Sequence, residues 1–132
     1  MIKLVLTLKR KPGMTHEDFR AYYEKSHVEQ AVKLFGHLML AYRRNYLPTS
    51  AALCDGDPER VGKPQPEGVD VVTEVIFKDQ ASFDEFARKF NAPEINQWFV
   101  EDEKRFFDRE ASRMGIVEIV ESDLGGSSNT PQ

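Results

Sequence analysis

A histidine lies on the apolar side of an amphipathic segment near the amino terminus. In DFRAYYEKSHVEQAVKLFG, residues 18–36, helical spacing places Phe19, Tyr23, His27 and Leu34 on one face. An imidazole titrates near neutral pH, so it can give or take a proton where water is excluded. A lone histidine on such a face is more often a core residue that holds a hydrogen bond. The pattern alone leaves both roles open for His27.

Other polar and aromatic side chains could complete a site around this histidine. A strand arginine can hold a carboxylate or a phenolate through two parallel hydrogen bonds. Adjacent strand residues face opposite sides, so a solvated strand end is the alternative for either Arg43 or Arg44. Asp102 and Glu103 are expected to bond to neighbouring backbone groups or to Arg105. The candidates for contact with a bound molecule are Tyr23, His37, Tyr42, Arg44, Asn45, Trp98 and Phe99.

Motifs for several other kinds of chemistry are missing from the sequence. No His or Cys pair has metal-ligand spacing backed by carboxylates, and His16 is predicted on the polar face of the first helix. The sequence contains no GxGxxG, P-loop or GxSxG motif. Cys54, the single cysteine, cannot form an internal disulfide. We therefore expect neither a metal nor an organic cofactor.

The composition is that of a globular domain. The 132 residues are 40% hydrophobic and 30% charged, which predicts one domain with a real core. The formal net charge is -4, and Lys and Arg are scattered among Asp and Glu, which argues against nucleic acid or an anionic membrane as partner. The start MIKLVLTLKRK is too short and too alternating for a signal peptide or a membrane span. We expect a cytoplasmic protein.

Hydrophobic periodicity predicts strands and helices in the order βαββααβ. The predicted strands are 2–8, 37–47, 69–77 and 113–121. Helices are predicted to begin after Thr15, at Ser82 and after Pro93. Thr15 suits an N-cap, Gly36 a left-handed C-cap, and Ser82 with Glu85 a capping box.

Two segments lack such periodicity. Residues 48–68 are rich in Pro, Gly, Asp and small residues, which predicts a long mobile loop that could act as a lid. The ending GGSSNTPQ predicts a disordered tail from residue 124. The folded domain is therefore expected to cover residues 1–123.

This order of elements favours a ferredoxin-like α+β sandwich with both helical blocks on one face of an antiparallel sheet. A sheet with one solvated face should alternate apolar and polar residues. The third strand is apolar on both sides instead, with Val71 and Val75 opposing Val72 and Ile76. A second copy packed on the bare face would explain this, so we predict a homodimer.

Several stretches resemble the EthD family, named for a protein linked to ethyl tert-butyl ether degradation. They are LKRKPGMTHEDFRAYYEKSH at residues 8–27, LAYRRNYLP, GVDVVTEVIF and EDEKRFFD. The most specific part is the KRKPG turn followed by F-x-x-Y-Y-E-x-x-H, which ends at His27. The resemblance implies a dimeric α+β barrel and a functional role for this histidine. Members in fungal aromatic-polyketide pathways act as cofactor-free decarboxylases or dehydratases, whereas many bacterial members have no assigned activity.

The resulting functional hypothesis is a cofactor-independent lyase, a decarboxylase or dehydratase acting on an aromatic or polyketide-like acid. The expected roles are acid or base for His27, orientation for Tyr23, oxyanion binding for Arg44 or Asn45, and an apolar wall for Trp98 and Phe99. One alternative is a non-catalytic subunit that binds a hydrophobic metabolite or a partner enzyme. A weaker alternative is haem binding, with His27 or His37 as axial ligand.

Overall fold

Four strands form one antiparallel sheet in the computed structural model, which describes residues 1–47, 59 and 68–125. The strands are β1 (Ile2–Leu8), β2 (Met39–Tyr46), β3 (Val71–Phe77) and β4 (Arg113–Ile116). Their order in the sheet is β2-β3-β1-β4. In the register, Leu4 of β1 lies opposite Val75 of β3 and Ile116 of β4. The middle of the sheet is therefore built from the first and third strands of the chain.

Two helical blocks pack on one face of this sheet. The first is a continuous helix made of α1 (His16–Tyr22), a π-helical segment (Tyr23–Val28) and α2 (Glu29–Phe35), followed by a 3-10 turn (Gly36–Leu38). The second consists of α3 (Gln80–Phe90) and α4 (Pro93–Phe106). The arrangement is an α+β ferredoxin-like fold, as predicted from the order βαββααβ.

The core lies between the sheet and the helices and is rich in phenylalanine. Phe19 and Phe106 pack beside Leu8 and Val71 at one end of the sheet. At the other end, the core contains Leu4, Leu38, Val75 and Phe77, with Phe83 and Phe86 against them. Phe35 and Phe99 join α2 to α4 in a third group of buried residues. In β3 every second residue faces the helices and is buried, and in β1 the helix-facing Leu4 and Leu8 are buried, so the strand pattern could be predicted from the sequence.

The helix ends agree with the sequence in one case and differ in two. The Thr15 hydroxyl accepts a hydrogen bond from the Asp18 N–H at 3.1 Å, which confirms the predicted N-cap. The prediction of a left-handed cap at Gly36 is wrong. The φ of Gly36 is -56°, in the right-handed region, and the chain continues into the 3-10 turn. The capping box at Ser82 is also wrong. The Asp79 carboxylate accepts from the Ser82 N–H at 2.8 Å, so α3 begins two residues before Ser82.

The last strand is shorter than its sequence pattern predicts. β4 ends at Ile116, although the apolar pattern continues to residue 121. Ile116 lies opposite Leu4, and the Val117 N–H bonds to the Lys3 carbonyl, so Ile2 is the one residue of β1 left beyond this point. Because a strand needs a neighbour to pair with, β4 cannot continue along the sheet as far as the apolar pattern does.

The face of the sheet opposite the helices carries both apolar and polar side chains. Val5, Val72 and Ile76 are half-buried there. Glu74 forms an ion pair with Lys3 and accepts a hydrogen bond from Asn45. In the described part of the chain, both helical blocks lie on the other face. This surface, which we call the open face, has its central charge already paired.

Two predictions fall mainly on residues that are not described. The predicted loop 48–68 is described only at residues 59 and 68, and the predicted tail only at residues 124 and 125. Both remain predictions from the sequence. Within the described ranges, no helix combines the length and apolar character needed to span a membrane.

Candidate active site

A cavity of about 620 Å³ lies between the sheet and the helices, with His27 in its wall. Its lining is mostly apolar, and the principal apolar residues are Leu4, Leu6, Val75, Phe35, Phe86, Phe90 and Phe99. At the β4 edge the wall is formed by Arg113, Met114 and Ile116, which are exposed to solvent. This edge gives a ligand access to the interior. The volume is in the range of small-molecule sites.

The imidazole of His27 is held by a buried aspartate on α4. Its Nδ1 lies 3.1 Å from Oδ2 of Asp102, a carboxylate that is completely shielded from solvent. The same carboxylate accepts hydrogen bonds from the Tyr22 hydroxyl at 2.7 Å and the Ser26 hydroxyl at 3.0 Å. Arg105 also lies 3.5 Å from it, as the sequence suggested. The carboxylate of Asp102 is therefore stabilised mainly by hydrogen-bond donors of the first helix.

The π-helical segment explains how three donors of one helix reach a single carboxylate. In an α-helix, residues five apart point about 140° apart around the axis, so Tyr22 and His27 would face different directions. A π-turn closes its hydrogen bonds between residues five apart, which brings such residues to the same side. The segment Tyr23–Val28 thereby turns Tyr22, Ser26 and His27 toward Asp102. No feature of the sequence predicts this irregularity.

Burial sets the protonation of the histidine. Desolvation lowers the pKa of His27 below its ordinary value, and the hydrogen bond and charge of Asp102 oppose this effect only in part. At neutral pH the ring is therefore uncharged. Its Nδ1–H donates to Asp102, and Nε2 carries the free lone pair. No described residue hydrogen-bonds to Nε2, so this nitrogen is available to a bound molecule.

Aromatic rings surround the histidine. The ring of Phe99 meets it edge-on with centroids 4.9 Å apart, and the Trp98 ring is inclined to it by 29° with centroids 6.4 Å apart. Phe99 lines the cavity, whereas Trp98 is partly exposed and contacts the histidine from outside the cavity lining. The apolar wall predicted from these two residues is thus formed by Phe99, with Trp98 behind the imidazole.

Three residues that carry hydroxyl groups, Tyr23, Tyr42 and Thr73, contribute to another part of the cavity wall. The Tyr23 and Thr73 oxygens are 2.9 Å apart. Burial raises the pKa of Tyr23, and it raises the pKa of Tyr42 well above the ordinary value. Both phenols therefore stay protonated over the physiological range and can donate hydrogen bonds to a ligand oxygen. Tyr23 and Tyr42 were candidates from the sequence, whereas Thr73 was not.

Arg44 is engaged away from the cavity. Its guanidinium forms a two-pronged ion pair with Glu24, with Nε–Oε2 and Nη2–Oε1 distances of 2.9 and 2.8 Å. It also lies over the Tyr42 ring, 4.8 Å from the centroid. Arg44 holds the pKa of Glu24 below its usual value, and Tyr46 donates a further hydrogen bond to the same carboxylate. The arginine thus positions Tyr42 from behind and does not line the cavity.

The two remaining candidates lie outside the cavity lining. Asn45 belongs to the open face, where its amide donates to the Val72 carbonyl and to Glu74. His37 is exposed in the 3-10 turn after α2. Of the eight candidates, the structure brings Tyr23, His27, Tyr42 and Phe99 together around one space. The key partner that the sequence analysis missed is Asp102.

A second histidine–aspartate pair lies at the start of α1. His16 is buried, and its Nδ1 is 2.9 Å from Oδ1 of Asp70, which also accepts from the backbone and side chain of Arg10. The predicted position of His16 on the polar face is therefore wrong. The periodicity of the first helix cannot predict this contact, because the partner Asp70 comes from the residue just before β3. This pair joins the β1–α1 turn to the sheet.

The described residues contain no group of three or more His, Cys, Asp or Glu side chains placed to hold a metal ion.

Residues 11–110 match the family model of the EthD domain. The chain belongs to the EthD domain family. Sequence comparison with curated proteins gives no match for this EthD domain.

Solved structures share its fold at low sequence identity. The protein At3g17210 of Arabidopsis thaliana matches with a TM-score of 0.56 and 15% identity, covering 94% of this chain and 100% of that one. An EthD family protein of Bacillus halodurans matches with a TM-score of 0.55 and 15% identity, covering 91% and 100%. A third structure, described as a dimeric protein of unknown function with a ferredoxin-like fold, comes from Bacteroides fragilis. It matches with a TM-score of 0.51 and 9% identity, covering 89% and 95%.

Proposed function

We propose that this EthD domain is a cofactor-free lyase that dehydrates or decarboxylates an aromatic or polyketide-like acid in the cavity. The observation that carries the proposal is the pairing of His27 with the fully buried Asp102 beside an apolar space. A buried carboxylate that accepts from Nδ1 fixes the tautomer in which Nε2 is a base. A histidine that only fills the core also needs a hydrogen-bond partner, so it is the place of His27 in the cavity wall that favours a catalytic role.

The lowered pKa of His27 favours a reaction that begins with removal of a proton. In dehydration, Nε2 takes the proton from the carbon next to a carbonyl group, and the electron pair forms an enolate. The enolate then expels the hydroxyl group on the next carbon while the imidazolium returns the proton to it. The products are a carbon–carbon double bond and water. One base that becomes an acid is enough for both proton transfers.

Decarboxylation would use the same groups in a different order. The carbon–carbon bond to the carboxylate breaks, CO₂ leaves, and the electron pair is held by a carbonyl or ring system of the substrate. The imidazolium form of His27 then supplies the proton that completes the product. This route requires the minor protonated form of the ring at neutral pH, so the electrostatics favour dehydration.

The hydroxyl groups of Tyr23 and Tyr42 replace the arginine and asparagine of the sequence-based hypothesis as donors to the developing oxyanion. Both line the cavity and both are kept protonated by burial. Arg44 supports Tyr42 through the ion pair with Glu24. Phe99 and its neighbours would pack against the planar part of the substrate.

We also propose that the domain works as a homodimer through the open face. Half-buried Val5, Val72 and Ile76 lie there beside a charge that is already paired. The fold neighbour from Bacteroides fragilis is described as dimeric, which supports the proposal of a dimer. Packing two such faces would remove apolar surface from water without leaving Glu74 unpaired.

The test compares two histidine variants on a panel of ortho-hydroxybenzoic acids and cyclic β-hydroxy ketones. His27→Gln should fold and bind yet lose about two to four orders of magnitude in turnover, the usual contribution of general acid–base catalysis. His37→Gln, the matched control, changes an exposed histidine and should keep the full rate. Release of CO₂ and the masses of the products separate decarboxylation from dehydration.

Two outcomes would contradict the proposal. Equal turnover by the wild type and His27→Gln would return the histidine to a structural role. Ligands that bind the wild type without being converted would instead favour the non-catalytic binding subunit.

A further inference from the structure

An ion pair lies in the mostly apolar wall of the cavity. Glu103 shares a face of α4 with the lining residues Phe99 and Val100, because positions three and four apart in a helix point the same way. Its Oε1 lies 3.3 Å from Nε of Arg109, a residue in the loop between α4 and β4. Both residues of the pair line the cavity. The reaction proposed above uses neither of them.

The two partners differ in their exposure to solvent. The Glu103 side chain is 17% exposed and the Arg109 side chain is 48% exposed. Burial raises the pKa of the Glu103 carboxyl, and the charge of Arg109 opposes this rise. No hydrogen bond joins the Nη groups of Arg109 to any other described residue. These two groups form a fork that can bind a carboxylate through two parallel hydrogen bonds.

The loop that carries Arg109 is fixed by its own hydrogen bonds. The Asp108 carboxylate accepts from the Glu110 N–H at 3.1 Å. The Asp108 N–H donates to the Lys9 carbonyl at 2.8 Å, and the Ser112 hydroxyl donates to the Asp108 carbonyl at 2.7 Å. The backbone on both sides of Arg109 is therefore held in place, which reduces the entropy lost when its guanidinium binds a ligand.

The other arginine of the cavity wall, Arg113, is turned away from the interior. It lies opposite Thr7 in the register, and Thr7 alternates with Leu8, which faces the helices. Side chains directly opposite each other leave the same face of a sheet, so Arg113 leaves on the open face. Its guanidinium donates to two backbone carbonyls of the preceding loop. Arg109 is therefore the arginine that a ligand in the cavity can reach.

We propose that Arg109 binds the carboxylate of the substrate acid at the cavity mouth, and that Glu103 limits the strength of this contact through its like charge. This inference rests on the lyase function proposed above and adds the residue that selects an acid. It assigns to Arg109 the contact first expected of Arg44, whose guanidinium is paired with Glu24. A ligand with one carboxylate fits this site best, because a second negative charge would meet Glu103.

The contact with Arg109 also bears on which reaction takes place. Phe99 contacts the His27 ring, and Glu103 is one helical turn further along α4, so the acid group and the base lie on the same wall. Decarboxylation moves negative charge from the carboxylate into the rest of the substrate. A cation on the carboxylate therefore stabilises the ground state more than the transition state of that step. The acid group stays on the substrate, and dehydration is favoured.

Calorimetry with a pair of probes tests the proposal by binding. An ortho-hydroxynaphthoate and its carboxamide have nearly the same shape and differ in charge. At neutral pH the wild type should bind the acid at least about 10-fold more tightly than the amide, because a hydrogen-bonded charge contributes about that much. Arg109→Gln should abolish this preference without changing the affinity for the amide, and Arg109→Lys should restore part of it. Equal affinity of the wild type for both probes, or no binding of the acid at millimolar concentration, would refute the contact.

Glu103→Gln should have the opposite effect. Removing the like charge should tighten binding of the acid by roughly 5-fold, the effect of one charge a few ångströms away in a solvated site. In this background, Arg109→Gln should still weaken binding of the acid by about 10-fold. If it does not, Arg109 only neutralises Glu103 and the proposal is wrong. Arg88→Gln, the control, removes a 72% exposed arginine on α3 and should bind both probes as the wild type does.

Binding and turnover separate this inference from the lyase. If His27→Gln loses turnover while Arg109→Gln keeps the preference for the acid, the lyase stands and the acid contact is refuted. If Arg109→Gln loses the preference while His27→Gln turns over like the wild type, the acid contact stands and the lyase assignment of His27 is refuted. Should Arg109→Gln not fold, Arg109→Lys and Glu103→Gln decide, because they are expected to change the affinity for the acid in opposite directions.

Discussion

Replacing Asp102 with asparagine tests the proposed histidine base directly, because the amide has the same shape but only one acceptor oxygen. Oδ1 accepts from the Tyr22 and Ser26 hydroxyls, and Oδ2 lies against Nδ1 of His27. Keeping the amide oxygen toward the two hydroxyls preserves both of those hydrogen bonds. The amide NH₂ then faces the imidazole, so Nδ1 must become an acceptor and the ring proton must move to Nε2.

The size of the effect can be worked from these contacts. A hydrogen bond to a charged group contributes roughly 1.5–3 kcal/mol, and one to a neutral group roughly half as much. Asp102→Asn weakens all three bonds but also removes a buried charge, which offsets part of the loss. We expect the free energy of unfolding to fall by about 1–3 kcal/mol. Turnover should fall by about two to four orders of magnitude, because Nε2–H cannot accept a proton.

Three measurements check this prediction. Urea unfolding gives the stability, and long-range ¹H–¹⁵N NMR of the histidine ring identifies the tautomer without any substrate. Turnover as a function of pH should lose the acidic limb that reports the His27 pKa in the wild type. Asp84→Asn is the matched control, because this exposed carboxylate on α3 accepts a hydrogen bond from Gln80 near the surface. The change should alter stability by less than about 0.5 kcal/mol. A variant of Asp102 that keeps the wild-type tautomer and rate would refute the assignment.

Three further predictions concern stability and assembly. Burial lowers the pKa of His27, so as the pH falls the unfolded chain binds the proton before the folded chain does. The contribution of His27 to the free energy of unfolding should be constant above about pH 6.5 and should decrease from there down through the lowered pKa. Urea unfolding against pH should show this slope in the wild type and not in His27→Gln. Thr15→Ala removes the N-cap of α1 and should cost about 1 kcal/mol in the same assay, and no change would mean that water replaces the cap. Val72→Lys with Ile76→Lys puts two charges on the open face and should shift the protein toward monomer in sedimentation, whereas a dimer of unchanged affinity would place the interface elsewhere.

Much of the fold was predictable because burial leaves a periodic trace in the sequence. β1 occupies the predicted residues, β3 ends at the predicted Phe77, and the Thr15 cap was correct, since each depends on neighbours within a few positions. The same local logic placed His27 inward and made Tyr23 a candidate beside it. It failed at Ser82, because the carboxylates of Asp79 and Glu85 were both possible acceptors for the Ser82 N–H. In the structure the acceptor is Asp79, three residues earlier.

The site itself was decided by contacts that no local pattern encodes. Asp102 lies 75 positions from His27, and only the packing of α4 against the π-helical segment brings the two together. Arg44 looked like a ligand-binding arginine until the fold supplied Glu24 from the first helix. The strand-like pattern of the last strand continues to residue 121, but β4 ends at Ile116 because β1 offers it no further residues to pair with. Periodicity reports whether a side chain is buried, whereas its partner depends on where other elements end, and that is fixed only when the whole chain packs.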